Sequence, residues 1–224
     1  MVRQNQAVLF DLDGTLLDRA LSLRAFVRWQ AEGMLGAEID NKEAYIARFI
    51  ELDANGRAWK DVVYETLIDE FSIENWAMKE LLTTYELCFC AFARPRPGAV
   101  EAVATLRSLG AKIALVSNGK SPFQERNFRS PGISSLFDAV IISEAVGLRK
   151  PDKKIFYLAC DRLKDQASDC VFVGDSIESD IEGANNSGMP SIYLPAGLDY
   201  DCATATTVCT SFAELPKIAT ALIG

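Results

Sequence analysis

Apolar residues follow two rhythms along this chain. Five short runs, at 7–10, 112–116, 139–142, 170–173 and 191–194, are rich in Val and Ile and do not alternate with polar positions. That pattern suits strands covered on both faces of a parallel sheet. A weaker sixth candidate lies at 206–210. Between the runs the spacing turns helical. Over 99–109, Ala99, Ala102, Val103, Leu106 and Leu109 share one face, and Gly110 follows as a stop. Over 152–163 the face is Ile155, Phe156, Ala159 and Leu163, with Pro151 placed for a first helical turn. A third helix is predicted over 178–186, with Ile181 and Ala184 inward and Gly188 ending it. Ser211 and Glu214 have capping-box spacing for a last helix. Strand–helix alternation from residue 97 onward predicts a Rossmann-like, doubly wound parallel α/β core.

Residues 19–93 break that rhythm and read as amphipathic helices without a strand. Leu23, Phe26, Val27 and Met34 line one face; Met78, Leu81, Leu82 and Tyr85 line another. Turn signals stand at Asp53-Ala54-Asn55-Gly56 and Arg94-Pro95-Arg96-Pro97-Gly98. The predicted organisation is therefore a core domain from 1–18 and 94–224 with an all-helical insert at 19–93. Trp29, Trp59 and Trp76 are read as insert core.

Composition narrows the function classes. The chain has 224 residues, 49% of them hydrophobic, enough for one sizeable core and a smaller second domain. The net charge of −8 argues against nucleic acid and anionic membranes as partners. A small phosphorylated metabolite is compatible, because one cation and one lysine reverse the sign locally. The apolar run near the N-terminus is too short for a signal peptide, and no stretch approaches a membrane span. A cytoplasmic location is expected, as a monomer or homodimer. The six cysteines form no C-x-x-C pair, and most lie in apolar segments, so they read as reduced core thiols. Histidine is absent. Ser-His-Asp and Cys-His chemistry and His-ligated zinc are excluded. Acid–base work falls to carboxylates, lysine, tyrosine or cysteine.

Four polar clusters follow predicted strands, at the edge where open α/β sheets build their sites. Asp11-Leu12-Asp13-Gly14-Thr15 follows the first run, and carboxylates at i and i+2 on extended backbone point to the same side. Ser117-Asn118-Gly119 follows the second and offers a hydroxyl and amides for a phosphoryl oxygen. Lys150-Pro151 precedes a helix, where a lysine opposes the dipole and suits an external anion. Gly174-Asp175-Ser176, with Asp180 beyond it, follows the fourth run. Gathered carboxylates suit a hard divalent cation such as magnesium. Taken singly, each cluster has an ordinary reading: a strand-end turn, a surface lysine, or an acidic residue in a first helical turn.

Taken as an ordered set, the clusters resemble the haloacid dehalogenase-like hydrolase superfamily, in its phosphatase branch with a helical type 1 cap. The family's D-x-D-x-T appears as Asp11, Asp13 and Thr15, its hydroxyl motif as Ser117, its lysine as Lys150, and its acidic motif as Asp175 with Asp180. The segments GLRKPDKKIF and VGDSIESDIEGANNSGM are especially similar to family patterns. The resemblance implies two-step phosphoryl transfer through an aspartyl-phosphate, and the absence of histidine makes a carboxylate nucleophile reasonable in its own right. It implies that Asp11 attacks phosphorus, and that magnesium (Mg2+) is held by the Asp11 and Asp175 side chains and the Asp13 carbonyl. Ser117, Asn118, Thr15 and Lys150 are the implied phosphate ligands. Asp13 is the implied general acid and base, and Asp180 orients Lys150 or a water on the metal. Dehalogenases of the superfamily generally carry a non-acidic residue where Asp13 stands, so Asp13 favours phosphate esters. A phosphomutase or phosphonate-cleaving relative shares the carboxylate pair. A non-catalytic regulatory protein on the same fold is expected to lose Asp11, Asp13, Lys150 or Asp175. The insert is expected to set substrate choice by closing over the site. Asn55-Gly56-Arg57, Lys60 and Arg24 are its candidate contacts, against the alternative that they are solvated.

Overall fold

Each apolar run forms a strand in the computed structural model, which describes residues 6–197 and 202–224. Residues 1–5, the start of the segment read above for a leader peptide, lie outside the described residues. The strands are β1 (Ala7–Phe10), β2 (Lys112–Ser117), β3 (Ala139–Ile142), β4 (Cys170–Gly174), β5 (Ser191–Tyr193) and the two-residue β6 (Thr207–Val208). They form one sheet in the order β3-β2-β1-β4-β5-β6, with every neighbouring pair parallel. Ala7 sits opposite Lys112 on one side and Cys170 on the other; Phe10 sits opposite Leu115 and Val173. The direction of winding reverses between β1 and β4, which opens a crevice at their carboxyl ends. Backbone contacts divide the chain into two units, one running to Asp18 and resuming over Pro95–Gly224, the other Arg19–Arg94.

The unit Arg19–Arg94 holds four helices: α1 (Arg19–Trp29), α2 (Lys42–Asp53), α3 (Lys60–Phe71) and α4 (Met78–Cys88). A wide π turn, Gln30–Leu35, continues α1. Its larger turn rotates the face, so Leu35 is buried where α-helical spacing predicts Met34. Phe26 gathers Trp29, Tyr85, Phe89 and Phe92 around it, and Tyr45, Phe49, Tyr64 and Phe71 make a second aromatic cluster. Leu81 and Tyr85 are buried, whereas Met78 and Leu82 are half-buried. Trp59 is 68% exposed and is not core; Trp29 is exposed, and Trp76 is half-buried.

Lys60 is not solvated either. Its ammonium lies 2.5 Å from Asp53, which Arg19 grips with two nitrogens at 2.8 and 3.0 Å. The same carboxylate accepts the Gly56 N–H at 2.8 Å and so closes the Ala54–Gly56 turn, where Ala54 and Asn55 are left-handed. Burial pushes the Asp53 carboxyl up, but Arg19 and Lys60 together outweigh it and hold the group below its ordinary value. Arg24 and Arg57 are exposed.

In the sheet unit, α5 (Ala99–Ser108) is followed by α6 (Phe123–Arg129), the short α7 (Ser143–Val146), α8 (Lys153–Leu163), α9 (Gly183–Asn186) and α10 (Leu215–Ile223). Ala7, Leu9, Ala114, Val116, Ala139, Ile141, Cys170 and Phe172 pack with Ile155, Phe156, Ala159 and Leu163 of α8. Val8, Phe10, Ile113, Leu115, Val171 and Val173 point the other way and are equally buried, on the side of α5 and α10. Burial on both faces explains the unbroken apolar runs. Helix ends differ in detail from the spacing. Asp152, not Pro151, sets the start of α8, accepting the Lys154 N–H at 3.0 Å, because an aspartate cap satisfies a free N–H and proline cannot. The Ser211 hydroxyl caps a turn ahead of α10, and the helix itself starts at Leu215 behind Glu214. Leu109 lies past the end of α5 and is 46% exposed. All six cysteines are free, four of them buried. No helix among the described residues is long and apolar enough to cross a membrane.

Phe172 meets Phe156 edge-on at 5.1 Å between sheet and helix. Phe172→Ala is expected to lower the unfolding free energy in urea by about 3–5 kcal/mol, from lost transfer energy and the cavity left behind. Asp53→Asn is expected to lower stability by about 3 kcal/mol near neutral pH, because it leaves two cations around a neutral group. A carboxylate whose folded pKa is depressed contributes stability above its unfolded value and loses it as pH falls through the folded one. The difference between wild type and Asp53→Asn, read from urea unfolding at several pH values, is therefore expected to shrink below about pH 4.

Candidate active site

The reversal of strand order decides which residues meet. Asp11 follows β1, and its backbone N–H donates to Val173 of β4 at 3.0 Å, which fixes it at the crevice. Its side chain is buried and accepts from the Lys150 ammonium at 2.6 Å. Lys150, 2% exposed, arrives from the segment between α7 and α8. Its other anion is Asp180, at 2.7 Å. The lysine thus stands between two carboxylates of the chain itself. Burial works against the ammonium, but Asp11 and Asp180 outweigh it and hold Lys150 above the ordinary lysine range.

Asp180 sits on a π turn, Ile177–Glu182, where α-helical spacing predicts an ordinary helix. The Asp180 carboxylate also accepts the Ser176 N–H at 3.1 Å, so it caps its own turn while facing Lys150. Asp175, at the end of β4, is held from behind. The Thr15 hydroxyl donates to it at 3.0 Å, and Gly14 lies against it. Gly14 has φ +85°, and a Cβ there would fall 2.2 Å from an Asp175 oxygen. The position needs both the left-handed backbone and the missing side chain. Thr15, implied as a phosphate ligand, is fully buried, and its hydroxyl donates a hydrogen bond that supports the Asp175 carboxylate.

Asp11, Asp175 and Asp180 each offer a carboxylate oxygen within 4.8 Å of one another. Asp13 is outside that group, which leaves it only a backbone carbonyl to offer a metal. Burial pushes Asp11 well above the carboxylate range; Lys150 pulls it back, and Asp180 and Asp175 push it up again. Asp175 is raised to about 6 by burial and then by the Asp180 charge. Three carboxylates, Asp11 and Asp180 buried and Asp175 half-buried, gather near one ammonium and carry excess negative charge. An all-oxygen set with that excess fits a hard divalent cation, which would favour the charged form of each carboxylate.

The second half of the site lies toward β2 and α6. Ser117 ends β2 and is 1% exposed. The Asn118 side chain is committed to the Lys150 backbone, donating to its carbonyl at 2.9 Å and accepting its N–H at 2.8 Å. It therefore locks the lysine segment to the end of β2, and the group left for a ligand is its backbone N–H. Half-buried Asp13 turns to Gln124 of α6, which donates to it at 2.5 Å and to the Ser117 hydroxyl oxygen at 3.2 Å. Gln124 carries no sequence signal of its own: it is one polar residue in a short helix, seven positions after Ser117.

A family model described as haloacid dehalogenase-like hydrolase matches residues 6–188. A glyceraldehyde 3-phosphate phosphatase of Methanopyrus kandleri is 29% identical over 199 residues, covering 86% of this chain and 84% of its own. A phosphoglycolate phosphatase of Nitrosospira multiformis is 29% identical over 194 residues, with 86% and 84% covered. Among solved structures, a HAD phosphatase from Thermococcus onnurineus is 27% identical with a TM-score of 0.68, over 95% of this chain and 97% of the other.

Gly14→Ala is expected to lower stability by about 1–3 kcal/mol through the left-handed backbone alone. Because the new methyl would displace Asp175, calorimetric titration with a divalent cation is also expected to show weaker binding in the variant than in wild type.

Proposed function

The chain belongs to the haloacid dehalogenase-like hydrolase family, and on that premise we propose that it is a magnesium-dependent phosphatase acting on a small phosphate monoester through an aspartyl-phosphate on Asp11. The observation that carries this reading is the Asp11 carboxylate, buried at the crevice, paired with Lys150 and grouped with Asp175 and Asp180. Asp11 and Asp175, with the Asp13 carbonyl, hold the metal, and Asp180 positions Lys150. Bound there, magnesium screens the charge between an anionic nucleophile and an anionic ester. Lys150, the Ser117 hydroxyl and the Asn118 backbone N–H hold the phosphoryl oxygens. An Asp11 oxygen attacks phosphorus while the ester P–O bond breaks, and Asp13 gives its proton to the departing oxygen. Asp13, now a carboxylate, takes a proton from the water that attacks the aspartyl-phosphate. Phosphate leaves and Asp11 is restored. Residues 19–93 act as a cap that selects the substrate.

The relatives' named activities make glyceraldehyde 3-phosphate and phosphoglycolate the first substrates to try. Purified protein with magnesium is expected to release inorganic phosphate from an aryl phosphate and from at least one such metabolite. EDTA stops this and added magnesium restores it. Asp11→Asn is expected to lower turnover at least about a thousandfold with the fold intact by circular dichroism. An unchanged rate would remove Asp11 as nucleophile. Transfer of the phosphoryl group without phosphate release would point instead to a phosphomutase.

A further inference from the structure

Gln124 is a buried amide with every polar atom engaged. It is 3% exposed, and its neighbour Asn127 is 1% exposed. One amide hydrogen goes to Asp13 Oδ2 at 2.5 Å and the other to Ser117 Oγ at 3.2 Å. Its carbonyl oxygen accepts from Asn127 Nδ2 at 3.2 Å. An ionised carboxylate only accepts, so the amide turns its nitrogen, not its oxygen, to Asp13. Gly119 provides the room. A Cβ there would stand 2.3 Å from Gln124 Cγ and 2.8 Å from Nε2, so Gln124 reaches Asp13 only across a residue without a side chain.

We infer that Gln124 is the positioning residue for Asp13, dividing its two oxygens between a fixed acceptor and a free proton carrier. Oδ2 accepts the Gln124 N–H and is therefore the carbonyl-like oxygen of the acid form. The proton sits on Oδ1, and passes from there to the ester oxygen as that oxygen takes the electron pair of the breaking P–O bond. After transfer, Oδ1 is again the oxygen left to receive a proton from water. The second N–H rests on the Ser117 hydroxyl oxygen in a longer contact, 3.2 against 2.5 Å, so the Asp13 bond is the one that directs a side chain. This inference rests on the acid–base role proposed above for Asp13.

The test compares esters that do and do not need a proton on leaving. Nitrophenyl phosphate releases a stable anion, whereas an alkyl phosphate such as phosphoglycolate releases an alkoxide. Gln124→Met keeps the length and removes both donors. It is expected to lower kcat/KM about ten- to a hundredfold on the alkyl ester and less than about threefold on the nitrophenyl ester. Gly119→Ala, which keeps Gln124 but pushes it aside, is expected to show the same selectivity. In an Asp13→Asn background, Gln124→Met is expected to cost nothing further on the alkyl ester. An equal loss on both esters, no loss, or a loss that persists without the Asp13 carboxylate overturns the inference. If Gln124→Met melts early by circular dichroism, the Gly119→Ala ratio decides in the same way. Wild-type protein that hydrolyses neither ester overturns the reading of Asp13, and the inference with it. An active wild type with unselective variants overturns the inference alone.

Discussion

A buried ammonium between two buried carboxylates organises the sheet unit's carboxyl edge. Lys150 has no water to solvate it, so its charge is tolerable only because Asp11 and Asp180 stand at 2.6 and 2.7 Å. Those two anions come from opposite sides of the β1–β4 crevice. The ion triad therefore holds three loops in one register. Asn118 adds a fourth by hydrogen-bonding the Lys150 backbone twice. Removing either carboxylate would leave a buried cation short of an anion, and removing the lysine would leave two buried anions facing each other.

The same arrangement is unbalanced by design of its composition: three carboxylates surround one cation. Burial first, and then the neighbouring carboxylate charges, raise the Asp11 and Asp175 carboxyls. Supporting groups work behind the carboxylates. Thr15 donates to Asp175, the Ser176 N–H donates to Asp180, and Gln124 donates to Asp13. Asp175, Asp180 and Asp13 each have such a donor of their own, while Asp11 is held by Lys150, which it shares with Asp180.

A different ion cluster orders the helical unit. Asp53 collects Arg19, Lys60 and the Gly56 N–H at the start of a strained turn. Nothing in the spacing of Lys60 or Arg19 indicates that they converge on one aspartate. In sequence Lys60 reads as a candidate substrate contact or a solvated cation, and its partner lies seven residues back across a turn with three left-handed residues. Trp59, beside it, shows the converse: a large aromatic residue outside the core, carried out by the same turn.

Local pattern alone determined the strands, because a strand covered on both faces has no polar position to blur it; even the short β6 lies within its expected run. It also determined which residues stand at strand ends, since Asp11, Ser117 and Asp175 each close an apolar run. Periodicity failed at the π turn that buries Leu35 in place of Met34; at the one that carries Asp180 it still set Ile181 and Ala184 inward but did not show the wider turn. The pairings were decided only by tertiary structure. Strand order brought β1 beside β4, the close approach of Gly14 to Asp175 and of Gly119 to Gln124 made room, and burial placed Lys150 between Asp11 and Asp180. Side chains 111 and 139 residues apart, Gln124 from Asp13 and Lys150 from Asp11, meet through the sheet. No spacing rule along the chain encodes such a contact, because it depends on where the strands lie and not on their order.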